Sequence, residues 1–96
     1  MEPEACTTMS EVRTGIDALD RQIVALIGER MRDMVAAARI KPHRADVRDE
    51  TRKREGIANA RRASVEQGVP PDLAAAVWEV LVEGSIAYEL EQFDRR

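Results

Sequence analysis

Apolar residues return every three or four positions between Val12 and Lys41: Val12, Ile16, Leu19, Ile23, Leu26, Ile27, Met34, Ala37 and Ala38. At 3.6 residues per turn they form one stripe roughly 100° wide, which predicts an amphipathic helix. Two cations interrupt the stripe. Arg30 and Lys41 fall near its middle, within about 20° of Ile23 at ~100° per residue. Ser10 is placed to cap the helix, Glu11 suits its N-terminal dipole, and Pro42 disfavours helical geometry in the residue before it. The pattern therefore predicts a tail over 1–9 and a first helix over 10–41. At ~1.5 Å per residue that helix is about 45 Å long. A compact monomer of this size is only about 25–30 Å across, so a second copy is the simplest cover for the helix.

A polar loop over 42–48 leads to a shorter second helix, 49–67, closed by Gly68. Its apolar face is thin, with Ile57, Ala60, Ala63 and Val65. Arg52, Lys53, Arg54, Arg61 and Arg62 make it strongly basic, which for most of them means a solvated face. The third helix, 72–93, carries two faces. Leu73, Ala76, Val77, Val80, Gly84 and Ala87 form one; Trp78, Val82, Ser85 and Glu89 form the other, with Ser85 and Glu89 stacked at i, i+4. A helix with partners on both sides belongs in the middle of an assembly. The expected fold is all-α, a single domain of three helices in the order long, short, long.

Composition narrows the function. Hydrophobic residues make up 44% of the 96 and charged ones 34%, so the chain can fold as a small globular domain. Trp78, Tyr88 and Phe93 are its only aromatics, which leaves the core to aliphatic residues and favours helices. With 15 basic and 18 acidic residues the net charge is −3, and no basic field points to nucleic acid. No run approaches the ~18 apolar residues of a membrane span. The acidic start MEPEACTTM resembles no secretory leader, so the expected location is cytoplasmic. Cys6 has no second cysteine to pair with, and His43 cannot make a metal site or a catalytic triad by itself. A glycine-rich phosphate loop is also missing.

What remains is a set of charges on or beside core-facing surfaces. Arg13, Arg30, Lys41 and Arg52 are the cations, and Glu89 is the main acid, able to pair with Arg30 or Lys41. Buried charges must be compensated. A small anion with two carboxylates would suit two arginine forks. The chemistry that fits such a pocket relies on orientation and electrostatics without a covalent step.

The same residues resemble the all-α chorismate mutases and their relatives, the isochorismate-pyruvate lyases. The likeness runs through CTTMSEVRTGIDALDRQIVALIGERM, AAARIK, VRDETRKRE and VEGSIAYELEQF. It implies an intertwined homodimer in which Arg30 and Lys41 come from one chain and Arg13 from the other. Arg13 and Arg30 would hold the substrate carboxylates with help from Ser85, and Arg52 would complete the cationic cage. Lys41 and Glu89 would donate to the ether oxygen of the breaking bond. Asp49 would lie near the ring hydroxyl, chiefly through its backbone. The implied reaction is the cofactor-free rearrangement of chorismate to prephenate. Two positions depart from the family pattern: Glu89 stands where glutamine is common, and Lys53 where mutases carry a glutamate. These keep open the lyase reaction on isochorismate, giving salicylate and pyruvate. A reading of another class is a helical dimerisation or regulatory module without catalysis.

Overall fold

The computed structural model describes residues 1–96 and is all-helical. Helices α1 (Met9–Ile40), α2 (Glu50–Glu66) and α3 (Pro71–Asp94) are joined by short connections, with single 3-10 turns at Pro3–Ala5 and Arg44–Asp46. The chain divides into two compact units, Met1–Arg32 and Asp33–Arg96. No helix is long and apolar enough to cross a membrane.

The first unit is the tail and most of α1. Thr8, rather than Ser10, does the capping. Its hydroxyl oxygen accepts the Glu11 N–H at 3.2 Å, and the Glu11 carboxylate accepts from the Thr8 hydroxyl at 3.0 Å. Ser10 lies inside the helix, and its carbonyl accepts from the Thr14 hydroxyl. Hydrogen bonds from Thr8 and Thr7 hold the Glu11 carboxyl below its ordinary range. No residue of this unit is buried, and Ile16, Leu19, Ile23 and Leu26 are all exposed. The stripe exists, but this chain leaves its first half bare.

The second unit holds the end of α1 and an antiparallel pair in which α2 packs along α3. Asp49 caps α2 by accepting the Arg52 N–H at 3.0 Å. At the other end Gly68 takes φ +72°, a left-handed conformation that glycine adopts without a Cβ penalty. Val69 N–H bonds Ser64 O at 2.8 Å and Gly68 N–H bonds Val65 O at 3.4 Å, the 6→1 and 5→2 pattern of a Schellman stop. Pro71 then opens α3 at a position where its missing N–H costs nothing.

The buried face of α2 is not the one expected from its apolar residues. Ala60 and Ser64 are buried and Lys53 and Ile57 half-buried, whereas Ala63 and Val65 are exposed. The observed stripe runs 53, 57, 60, 64, and Val65 lies a further ~100° around the helix. Ser64 tolerates burial because its hydroxyl donates to Arg61 O at 2.6 Å. On α3 the buried residues are Ala74, Ser85, Ile86 and Glu89. The small side chains among these let the helices approach closely.

Candidate functional site

Lys41 and Glu89, two of the expected site residues, are joined directly. Lys41 follows the last residue of α1, and its N–H still completes a helical bond to Ala37 O at 2.9 Å. Its ammonium donates to Glu89 Oε2 at 2.8 Å. Glu89 is only 4% exposed. A carboxylate taken that far from water needs a charged partner, and Lys41 supplies it. Every buried side-chain nitrogen and oxygen in the protein has a hydrogen-bond partner. One turn earlier on α3, buried Ser85 donates to Leu81 O at 2.7 Å. The result is a cation held against a buried acid, chemically suited to meet an oxygen that carries or gains negative charge.

Asp49 and Arg52 sit at the start of α2. The Asp49 carboxylate caps the helix, its Oδ1 accepting the Arg52 N–H. The Arg52 guanidinium is exposed and lies 3.6 Å from Glu55. Lys53 behaves differently from its basic neighbours. Its ammonium is drawn to α3, bonding Glu79 at 2.7 Å and Glu83 at 2.9 Å. Arg48 reaches the same Glu83 at 2.8 and 3.0 Å, and Glu50 at 2.8 Å. The hydrogen bonds from Arg48 and then Lys53 hold the Glu83 carboxyl down to about 2. Glu79 first and Glu83 second raise the Lys53 ammonium.

Arg13 and Arg30 belong to the first unit, Arg13 exposed near the start of α1 and Arg30 half-buried near the end of that unit. Within the second unit a shallow cleft of about 210 Å³ is walled by Val35, Ala38, Arg39, Gln92, Arg95 and Arg96. It includes none of the residues expected from the sequence. Arg96 went unnoticed there because it acts on backbone more than fifty residues away, which no local pattern reveals.

The sequence matches chorismate mutase type II over residues 12–90. The chain belongs to that family. It is also similar to the isochorismate pyruvate lyase of Pseudomonas aeruginosa, 27% identical over 89 residues, which cover 93% of this chain and 88% of the relative. All seven expected site residues, Arg13, Arg30, Lys41, Asp49, Arg52, Ser85 and Glu89, fall within the part that matches the chorismate mutase type II family. Arg96 falls outside it.

Proposed function

We propose that this member of the family rearranges chorismate to prephenate as a homodimer, with Arg13 reaching each site from the partner copy. The observation that carries the reading is the Lys41–Glu89 pair, a lysine ammonium held at 2.8 Å against a nearly inaccessible carboxylate. In the rearrangement one C–O bond breaks while one C–C bond forms within the same molecule, so no group enters or leaves. Arg13 and Arg30 fix the two carboxylates and hold the flexible substrate in its compact reactive conformer. Lys41 then meets the charge that grows on the ether oxygen. As an anion Glu89 only accepts and so orients Lys41; in its neutral form it donates as well. The dimer is supported by the bare apolar residues Ile16, Leu19, Ile23 and Leu26 on α1 and Leu73, Val77 and Val80 on α3.

A second reading, lyase action on isochorismate, is favoured by the name of the Pseudomonas aeruginosa relative and by the lysine at position 53. Against it, the Lys53 charge is answered within the chain by Glu79 and Glu83, so it adds little cationic field for a ligand. Purified protein offered chorismate and isochorismate separately decides the matter. Prephenate from chorismate with little salicylate from isochorismate is the expected result. Salicylate and pyruvate as the main products would transfer the assignment to the lyase. Turnover of neither substrate would leave a helical module without catalysis.

A further inference from the structure

We infer that Arg96 is a positioning residue for Lys41. The end of α1 explains why one is needed. A helix leaves its last carbonyls without intrahelical donors, and here the shortage is worse than usual. The Ala38 carbonyl would ordinarily receive the N–H of residue 42, but that residue is proline and has none. Arg96 supplies the missing donors. Its Nη1 donates to Ala38 O at 3.1 Å and to Lys41 O at 2.6 Å, and its Nη2 donates to Pro42 O at 3.2 Å. The guanidinium also stacks on the Phe93 ring, 3.7 Å from its centre, which fixes the plane of the fork. A cation at a helix C-terminus is favoured by the dipole as well.

Lys41 is thus gripped from two points of one C-terminal segment. Glu89 holds its ammonium, and Arg96, seven residues later, holds its carbonyl. Helix α3 ends at Asp94, so Glu89 reaches Lys41 from within the helix and Arg96 from just beyond its end. The side chain that bears the charge and the backbone that aims it are set by neighbouring groups. Lysine has four rotatable side-chain bonds, and fixing its carbonyl restricts where the ammonium can go.

The inference rests on the reading that Lys41 acts in turnover, and the test keeps the two apart. Arg96→Ala, Arg96→Lys, Lys41→Ala and the Arg96→Ala/Lys41→Ala double variant are compared in the full chain. Amide hydrogen exchange and steady-state kinetics with chorismate and isochorismate are the readouts. In Arg96→Ala the Lys41 amide should exchange about tenfold faster or more, while the Ala60 amide in α2 keeps its rate, because losing a charged hydrogen bond is a local opening of that order. Turnover should fall about tenfold with KM changed less than about threefold, since the lost interaction is realised in the transition state. Arg96→Lys should recover part of both. On the Lys41→Ala background, Arg96→Ala should cost nothing further. Unchanged exchange at Lys41, unchanged kcat, or an equal loss on both backgrounds would each overturn the inference. Wild-type turnover by Lys41→Ala would instead sink the proposed site and, with it, the role of Arg96 in turnover, while the exchange data would still judge whether Arg96 clamps the helix end.

Discussion

The two faces of α3 have similar sequence patterns and opposite fates. Trp78 and Val82 are half-buried and Ser85 and Glu89 buried, on the side that packs within the second unit. Leu73, Ala76, Val77, Val80, Gly84 and Ala87 are all exposed, Val80 at 74%. The polar face is the covered one, and the face made of aliphatic residues is bare. Fully burying a leucine or valine is worth roughly 1.5–3 kcal/mol. Leu73, Val77 and Val80 together therefore represent several kcal/mol that this chain does not use by itself. Periodicity counts the faces of a helix; it does not say which of them its own chain will cover.

The sharpest way to break the comparison is to charge the bare face. Val77→Lys with Val80→Lys should leave the α2–α3 pair folded and abolish self-association at micromolar concentration, read by sedimentation. Because the proposed site borrows Arg13 from a second copy, activity should fall by about a hundredfold or more, given the several kcal/mol at stake. A double variant that stays associated and active would show that another surface joins the copies.

A smaller effect is expected on the covered face. Glu89→Ala leaves the Lys41 ammonium without its partner, and kcat/KM should fall about tenfold, as for a lost charged hydrogen bond. Glu89→Gln preserves shape and adds a donor that works at every pH, so its rate near neutrality should equal or exceed that of the wild type. If Glu89→Gln were as impaired as Glu89→Ala, the carboxylate charge itself would be what Lys41 needs.

The smallest effect concerns the ion pairs that tie α2 to α3. Glu83 is depressed to about 2 by Arg48 and Lys53. A carboxyl lowered in the folded state stabilises it above the ordinary carboxylate range, and the contribution is lost as pH falls toward about 2. Helix melting followed by circular dichroism should therefore gain a slight acid sensitivity between about pH 4.5 and 2 that Glu83→Gln lacks. The group is only partly buried and is screened by solvent, so the shift should be small. Equal acid profiles for the two proteins would mean the pairs contribute nothing to holding α2 on α3.

What could be read from the sequence was what local chemistry dictates. The helical period, the break at Pro42 and the stop at Gly68 depend on residues within a turn or two of each other, and each appears in the structure where that chemistry puts it. Lys41 and Glu89 stood out because charge on a core-facing surface demands compensation, and the two meet at 2.8 Å. Ser64 did not stand out, since a serine that satisfies its hydroxyl on its own helix looks polar in sequence and behaves as a small core residue. Lys53 stood out as a departure from the family pattern, but not as an ion-pair member; its partners Glu79 and Glu83 lie on another helix, which only the fold brings alongside. The Thr8 cap was two residues from the one expected, because either hydroxyl could have started the helix and only Thr8 has Glu11 three residues ahead to reciprocate.

The stop at Gly68 also governs what two copies of this chain cannot become. If α2 ran straight into α3, the two would fuse into one long rod, and copies could trade halves along it in an open, heterogeneous chain of molecules. The left-handed turn at Gly68 bends the backbone away from that path. Just beyond it, Pro70 and Pro71 lack the N–H groups a continuing helix would need. The α2–α3 hairpin is therefore closed within one chain, α2 folding back on the α3 that follows it.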